Sequence, residues 1–387
     1  MLGFILLNYK ENKMLNRNSS LRKLLGCAMV TGAFFAAGAH ASSLQGSSYT
    51  PLILAGALPD TPAAHVDPNN AASPFSGVVS INIRYDGHSF ICSGALVGAR
   101  QVVSAGHCVD TDGNGTVINL TPSGDPSKPR DVRVVFNTTG PNGTAVMTAV
   151  GVSMNPDYKG FGNCPAALGP DPFCVNDDIS VITLGADAPA GAKIYKMASA
   201  PVMSGTHIIM AGYGTSGNGI DGYTISPDFR IKRTGENYID VFDQNDEAGF
   251  TGANEVYYAD FDGTTATGTP AIDINCVVYH VCTPVLPNNR ESSIGGGDSG
   301  GPSFVEMYAE LVLVANNTFS QTWIVNGVDQ IGGTFGTSFG GILLAPYKDY
   351  LLTATDGAIG MVPEPSNVAL LGMAAMMLIA SRRRVRK

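Results

Sequence analysis

The pattern of apolar and polar positions between residues 76 and 357 predicts many short β-strands. Apolar and polar residues alternate in Val78–Tyr85, as they do in a strand with one buried face. Further short apolar runs, separated by glycine-containing turns, lie at residues 89–97, 101–104, 133–136, 181–184, 207–211 and 311–314. A helical pattern is visible only at residues 346–355. We therefore expect an all-β domain with a short C-terminal helix.

The N-terminal segment has the pattern of a signal peptide. Arg17, Arg22 and Lys23 precede an apolar run at residues 24–37, and Met14 is a plausible translation start. Ala39-His40-Ala41 then matches the small-residue pattern of a cleavage site. We predict a signal peptide at 1–41, removed by signal peptidase, and an N-terminal arm or pro-segment at 42–75.

Residues 358–387 are predicted to form a linker and a sorting tail. Pro363-Glu364-Pro365 precedes a thirteen-residue apolar run at 368–380 and a basic cluster at 382–387. The apolar run is shorter than the roughly 20 residues that span a bilayer. The basic cluster would stay on the cytoplasmic side. An ordinary short membrane anchor is the alternative.

The charge of the chain changes when these two ends are set aside. The net charge of all 387 residues is −9, but residues 42–381 contain 13 basic and 31 acidic residues. Such an acidic surface argues against nucleic acid or an anionic membrane as a partner. The stretch from Asp240 to Asp262 holds seven acidic residues. We expect that stretch to be a solvated insertion.

Candidate chemistry centres on Gly295-Gly296-Gly297-Asp298-Ser299-Gly300-Gly301-Pro302. Glycines on both sides of Ser299 leave its hydroxyl exposed and allow backbone N–H groups to face an oxyanion. Turn statistics alone would fit a flexible loop equally well. Two other segments favour catalysis, because a β-branched strand ends near His107 and an acidic turn containing Asp178 leads into another strand.

The chain resembles the trypsin/chymotrypsin-like serine proteases, because His107, Asp178 and Ser299 occur in this order and Ser299 lies in the motif GDSGGP. The resemblance implies two packed six-stranded antiparallel β-barrels and an endopeptidase acting on protein or peptide substrates. It also implies that His107 is the general base, Asp178 orients it, and the N–H groups of Gly297 and Ser299 form the oxyanion hole. Asp177 is the competitor for the role of Asp178.

Other serine hydrolases are tested by the order of residues along the chain. Gly297-x-Ser299-x-Gly301 also fits the elbow of α/β-hydrolases, but their histidine follows the serine, and the last histidine here is His280. A subtilisin order could use Asp60 or Asp67, and neither lies at a predicted strand end. A non-catalytic binding or adhesion protein on the protease fold remains the alternative function.

The resemblance also implies where the substrate binds. The floor of the primary pocket falls at Ser293, six residues before Ser299, with walls near Gln330, Gly332, and Gly340 or Gly341. A serine floor provides no anion for Lys or Arg, so an uncharged P1 side chain is expected. Gly295 occupies a place where many relatives have a cysteine that braces the pocket.

Activation is where the chain departs from the family. Relatives are cut after Lys or Arg, and the new Ile or Val amino terminus pairs with the aspartate before the nucleophile, here Asp298. Residues 42–83 contain no Lys or Arg. Counting back from the first strand places the inserted residue near Ala64. We expect a side chain of the domain to satisfy Asp298, with a non-tryptic cut between residues 42 and 75 as the alternative.

The cysteines indicate an exported protein with disulfides. Cys27 falls in the predicted signal peptide, and six cysteines remain. Sequence proximity and the family pattern favour the first of three pairs, and the other two would close short loops. The expected pairs are Cys92 with Cys108, Cys164 with Cys174, and Cys276 with Cys282.

No resident metal or cofactor is required by these patterns. The CxxC spacing of zinc sites is missing. Residues 110–115, Asp-Thr-Asp-Gly-Asn-Gly, place oxygen-bearing side chains at alternate positions, as a calcium loop does, but its twelfth position is Thr121 and not glutamate. We expect a plain turn there, with calcium as the alternative.

The C-terminal tail resembles the PEP-CTERM signal of exosortase-bearing Gram-negative bacteria. This resemblance implies export, transient retention, and processing near Pro363-Glu364-Pro365 by an exosortase-type sorting enzyme. The final location would be the periplasm, the cell surface or the medium, and we expect a monomer.

Overall fold

The computed structural model describes residues 53–138, 143–168, 174–325 and 328–363. The predicted signal peptide, residues 42–52 of the arm and the tail from Glu364 onward lie outside the described residues. Within the described ranges, no helix has the length and apolar character needed to cross a membrane.

The first half of the domain is a closed antiparallel barrel of six strands. Its order is β1-β2-β3-β6-β5-β4, and the prediction of an all-β fold with such a barrel is confirmed. The strands are β1 (Val78–Tyr85), β2 (His88–Leu96), β3 (Gln101–Ser104), β4 (Asp131–Asn137), β5 (Thr144–Met154) and β6 (Ser180–Leu184).

The alternation in the sequence explains how β1 is oriented. Val79, Ile81 and Ile83 are fully buried inside the barrel, whereas Val78 faces the second half of the domain. The turn to β2 is Asp86-Gly87, in which both residues have positive φ, 48° and 92°. This is a favoured two-residue hairpin, because its twist matches that of the strands it joins.

The second half is built from thirteen further strands in the described ranges. They are β7 (Met197–Ala198), β8 (His207–Gly212), β9 (Ser216–Asn218), β10 (Gly222–Ile225), β11 (Arg233–Tyr238), β12 (Val241–Gln244), β13 (Asn254–Phe261), β14 (Pro302–Met307), β15 (Glu310–Gln321), β16 (Ile324–Val325), β17 (Val328–Asp329), β18 (Thr337–Leu343) and β19 (Met361–Val362). β9 and β10 form one hairpin, and β16 and β17 form another.

The main sheet of this half differs from the predicted second six-stranded barrel. It has nine strands in the order β11-β8-β14-β15-β18-β13-β12, with β7 beside β15 and β19 beside β7. β11 meets β13 through a side chain instead of a backbone ladder, because Asn237 Nδ2 donates to Asp260 O at 2.7 Å. The described backbone pairings therefore leave the second barrel open.

Helices are few and short. The predicted C-terminal helix is confirmed as α2 (Lys348–Ala354), which continues from a 3₁₀ turn at Ala345–Tyr347. α1 (Ile274–Tyr279) was not predicted, and the side chain of Asp273 caps its N-terminus by accepting from the Cys276 N–H at 2.6 Å. Two more 3₁₀ helices are Pro62–His65 and Ala166–Leu168.

The three predicted disulfides are all present at bonding distance. Their S–S separations are 2.03 Å for Cys92–Cys108, 2.13 Å for Cys164–Cys174 and 1.93 Å for Cys276–Cys282. The first joins β2 to the residue that follows His107. The last closes a six-residue interval across the end of α1.

The prediction of a solvated acidic insertion at residues 240–262 is wrong. This stretch contains β12 and most of β13, and five of its seven acidic side chains are buried. Neighbouring amides supply hydrogen bonds that a charge count cannot reveal: Glu255 accepts from Asn176 at 2.8 Å and from Asn245 at 2.6 Å. The buried residues are Asp240, Asp246, Glu255, Asp260 and Asp262.

The described part of the N-terminal arm is built into the fold. Ile53 is fully buried in the core of the second half. Asp67 forms a buried ion pair with Lys232, with Nζ 3.1 Å from Oδ1. Lys232 Nζ also donates to Phe75 O at 2.8 Å, and the Asp67 N–H donates to Lys232 O at 2.9 Å. Residues 53–75 are therefore part of the packed domain.

The ion pair between Asp67 of the arm and Lys232 predicts the effect of a mutation. Lys232→Ala should lower the free energy of unfolding by about 3–5 kcal/mol, because it leaves the Asp67 carboxylate buried without its cation. The measurement is equilibrium unfolding in denaturant. Lys159→Ala, at an exposed lysine, is the matched control and should change stability by no more than about 0.5 kcal/mol. An effect of Lys232→Ala as small as the control's would contradict a stabilising role for the arm's ion pair.

Candidate active site

His107 and Asp178 are brought together by two paired strands of the first barrel. β3 and β6 pair with Ser104 opposite Ser180, so the chain leaving β3 meets the chain entering β6. His107 Nδ1 lies 2.7 Å from Asp178 Oδ2, and the His107 backbone N–H donates to Asp178 Oδ1 at 2.6 Å. With Nδ1 held by the carboxylate, Nε2 is the ring nitrogen left for proton transfer.

The environment of His107 favours its protonated form. Burial opposes a positive ring, but the charge and hydrogen bond of Asp178 outweigh burial and raise the pKa of His107 above its usual value, with help from Asp110. The side chain is 11% exposed, and its ring lies edge-on to Phe161 with centroids 5.3 Å apart. The ring is thus held in place while one edge stays accessible.

Asp177, the competitor for the same role, points elsewhere. Its Oδ1 accepts from Asn155 Nδ2 at 3.0 Å, and its N–H donates to the Tyr347 hydroxyl at 3.1 Å. Burial and the nearby charges of Glu247 and Asp246 raise the pKa of Asp177 to about 8. Of the two neighbouring carboxylates, Asp178 is the one that contacts His107.

The loop carrying Ser299 docks on the first barrel. Ser299 O accepts from the Ser93 N–H at 2.8 Å. Gly300, with φ of 76°, fits so closely that a Cβ would lie 2.1 Å from Ser104 Oγ. Ser299 therefore lies close to the C-terminal end of β3, just before His107 in the chain. The Ser299 hydroxyl and the His107 ring, both described residues, make no hydrogen bond in this structure; such bonds often tighten only when substrate binds.

The residues before Ser299 present free backbone donors. Gly297 has φ of 103°, which favours glycine, and its carbonyl accepts from Ser93 Oγ at 2.8 Å. Gly296 O accepts from the Thr215 N–H at 2.8 Å. Within the described ranges, the N–H groups of Gly297 and Ser299 donate to no backbone carbonyl. Two donors are thereby available for an oxyanion.

Asp298 is held by the backbone and by a nearby charge. Its Oδ1 accepts from the Gly214 N–H at 2.7 Å, and its Oδ2 accepts from the Gly295 N–H at 2.9 Å. Burial raises the pKa of Asp298 to about 7, although both hydrogen bonds and the charge of Arg233 oppose this rise. Gly212 belongs to the same site, since a Cβ there would lie 2.2 Å from Asp298 Oδ1.

The count places the start of an inserted amino terminus near Ala64, which in the uncut chain lies exposed in the 3₁₀ helix Pro62–His65. Farther back in the arm, the Leu54 N–H donates to Ser293 O at 3.3 Å. Arg233 links the two regions, because its Nε donates to Pro62 O while its charge acts on Asp298.

The residues expected to line the substrate pocket lie in two places. Ser293 is 1% exposed, and its Oγ has no hydrogen-bond partner in the described part of the chain. Gln330 belongs to the β16–β17 hairpin, where its Oε1 accepts from the Trp323 N–H at 3.0 Å. Gly332 packs on Tyr223, whose hydroxyl donates to Ile294 O at 2.7 Å. Tyr223 therefore connects the hairpin to the Ser293 segment.

Sequence reasoning missed Asn316, which hydrogen-bonds the backbone of Asp178. Asn316 lies in β15 and is 1% exposed. Its Nδ2 donates to Asp178 O at 3.0 Å and to Ser104 O at 3.3 Å, so it ties both strands that carry the histidine and the aspartate. The available signal was a polar Asn-Asn-Thr run inside an otherwise apolar strand.

The candidate calcium loop closes on itself. Asp110 accepts from the N–H groups of Asn114 at 3.2 Å and Gly115 at 2.8 Å, and Asn114 Oδ1 accepts from the Thr116 N–H at 2.9 Å. The bond between Asn114 and Thr116 is that of an Asx turn. Asp110 therefore already has partners in its own loop, and its charge also acts on His107.

The effect of the Arg233 charge on Asp298 predicts a pH-dependent effect of Arg233→Gln. Asp298 is mostly protonated near pH 5, because its pKa is raised to about 7, and the Arg233 charge then matters least. Near pH 8 the buried carboxylate is ionised, so loss of the charge should cost more stability. Unfolding in denaturant at both pH values measures this difference. Arg230→Gln, at an exposed arginine, should show no such increase. An equal loss at both pH values would mean that Arg233 acts through packing alone.

Comparison with known proteins supports the same family as the motifs. Residues 65–227 match the family model of trypsin. The comparison with curated proteins finds no match to the chain. The matched range contains His107 and Asp178, and it ends before Ser299. This part of the chain, with its closed six-stranded barrel, is thus similar to trypsin-like serine peptidases, a class of hydrolases that act on protein or peptide substrates.

Proposed function

We propose that this chain is an exported serine endopeptidase with His107, Asp178 and Ser299 as its catalytic residues. The observation that carries the proposal is the His107–Asp178 pair, at 2.7 Å, beside the docked Ser299 loop. The trypsin family match over residues 65–227 supports the same class of reaction.

The proposed reaction follows from the roles of these groups. Ser299 Oγ attacks the carbonyl carbon of a peptide bond as His107 Nε2 takes its proton. The N–H groups of Gly297 and Ser299 stabilise the oxyanion, and each donor is worth about 3 kcal/mol in the transition state. The C–N bond then breaks as His107 returns the proton to the leaving amine. Water, deprotonated by the same histidine, hydrolyses the resulting acyl-enzyme ester.

The proposed P1 preference is for an uncharged side chain. Ser293 supplies a hydroxyl and no anion, so a substrate Lys or Arg would lose its hydration without gaining a counter-charge. The unpartnered Ser293 Oγ can accept or donate one hydrogen bond to a polar substrate group.

Export is part of the proposal. Three disulfides favour an oxidising compartment, and the acidic excess in residues 42–381 suits a soluble surface there. The signal peptide and the sorting tail would direct the chain to the periplasm, the cell surface or the medium of a Gram-negative-type bacterium. The proposed working form is a monomer.

Removal of either catalytic group should abolish peptidase activity. Ser299→Ala and His107→Ala should each lower kcat by on the order of 10⁴-fold or more, because these residues act as one unit. Asp178→Asn should be similarly impaired, whereas Asp177→Asn, its matched neighbour, should retain most activity. Hydrolysis of a casein-type substrate and labelling by a fluorophosphonate measure both effects. Near-parental turnover by Ser299→Ala would defeat the assignment.

The pH dependence of kcat/KM provides a second test of the same site. The base must be neutral, and the pKa of His107 is raised by Asp178, so kcat/KM should rise with pH through a midpoint above about 6.5. A midpoint well below this value would argue against His107 as the base.

Protein from its native host should be processed at both ends. Intact mass and amino-terminal sequencing should show a start near Ser42 and an end before Val368. A retained Arg-rich end would favour the simple anchor. A single start between Ala63 and Phe75 in all active material would contradict the proposal that groups within the domain, and not a new amino terminus, satisfy Asp298.

A further inference from the structure

A group of carboxylates converges between β13 and α1. Asp260 and Asp262 lie at the end of β13, and Asp273 directly precedes α1. One carboxylate oxygen from each of the three lies within 4.8 Å of the others. None of these residues belongs to the proposed catalytic machinery.

The negative charge at this place is buried. Asp260 is 4% exposed and Asp262 is 6% exposed, and two further carboxylates nearby, Asp240 and Glu291, are each 1% exposed. The ion pairs found among the described residues all involve other carboxylates. Isolated buried charges are costly, so a protein that concentrates them needs protons or a cation there.

Asn275 supplies an independent sign of a positive ligand. It is fully buried, its N–H donates to Asp260 Oδ2 at 3.2 Å, and its Nδ2 donates to Asp240 Oδ2 at 2.7 Å. The carbonyl oxygen of the same side chain has no hydrogen-bond partner in the described part of the chain. A carbonyl can only accept, and no N–H or O–H group of the described residues reaches this oxygen. A cation would satisfy this oxygen and the carboxylates together.

We propose that Asp260, Asp262, Asp273 and Asn275 bind one Ca²⁺ ion. Ca²⁺ is coordinated by oxygen at 2.3–2.6 Å, so two ligands of one ion can lie up to about 5 Å apart, which fits the separations within 4.8 Å among the three carboxylates. The donors are all oxygens, whereas zinc favours nitrogen and sulfur. Mg²⁺ usually keeps several waters, which suits a buried set of protein ligands less well.

The spacing of the ligands gives the site a structural role. Asp260-x-Asp262 ends β13 and Asp273-x-Asn275 begins α1, so one ion joins the two ends of the loop at residues 263–272. The Cys276–Cys282 disulfide closes the other side of α1. The ion would therefore stabilise this region of the second half without taking part in peptide hydrolysis.

The test uses the purified, chelator-treated protein at neutral pH. Isothermal titration with CaCl₂ should show binding, and Tm should rise with Ca²⁺ concentration. Asp262→Asn should bind one Ca²⁺ equivalent fewer than the parent. The rise in Tm on adding Ca²⁺ should be smaller in this variant than in the parent. A purely structural role for Asp262 would lower Tm equally with and without Ca²⁺.

Matched controls separate this site from other acidic groups. Asp112→Asn, at an exposed aspartate of the 110–115 loop, should bind as many equivalents as the parent. Asp273→Asn keeps a side chain able to cap α1 and should fold, but its Kd for Ca²⁺ should rise at least tenfold. It provides the test if Asp262→Asn does not fold. MgCl₂ at the same ionic strength should raise Tm less than CaCl₂ does.

Three outcomes would overturn the proposal. The first is a parent protein whose Tm does not respond to millimolar Ca²⁺, which would indicate that shared protons neutralise the group. The second is an Asp262→Asn or Asp273→Asn variant that binds like the parent. The third is loss of binding in Asp112→Asn alone, which would assign the ion to the 110–115 loop.

Discussion

The hydrogen bond from the Ser93 N–H to Ser299 O is the contact on which the candidate site depends. The first barrel carries His107 and Asp178, and the second half carries Ser299. Neither half contains a complete site, so their relative placement must be fixed. Ser93 does this twice, since its Oγ also donates to Gly297 O at 2.8 Å. The Cys92–Cys108 disulfide flanks both Ser93 and His107 and so limits how far they can separate.

Buried charge is handled in three different ways in this domain. Asp67 is paired with Lys232, Asp178 with His107, and Asp298 receives two backbone N–H groups and the field of Arg233. Each arrangement offsets the cost of removing a carboxylate from water. The carboxylates between β13 and α1 have no basic side chain among their described partners. A bound cation is therefore our explanation for how their negative charge is offset.

Sequence predicted the local features well and the long-range ones poorly. The strands of the first barrel and the helix α2 follow from the periodicity of apolar residues. The disulfides follow from sequence proximity and the family pattern, and the positions of His107 and Asp178 follow from their local sequence motifs. The open second barrel and the burial of Asp260 did not follow. Each of these depends on a partner in another element, Asn237 for the contact of β11 with β13 and Asn275 for Asp260. Local composition carries no information about such partners.

Arg233 shows why the arm matters to the site. Its guanidinium donates to Pro62 O in the arm, while its charge opposes the rise that burial causes in the pKa of Asp298, next to Ser299. The adjacent Thr234 carbonyl contacts His65, whose ring also meets Asp60 at 2.7 Å. Displacing the arm would therefore move Arg233 and change the electrostatic field at Asp298. The described part of the arm therefore supports the loop that carries Ser299, through Arg233 and Asp298.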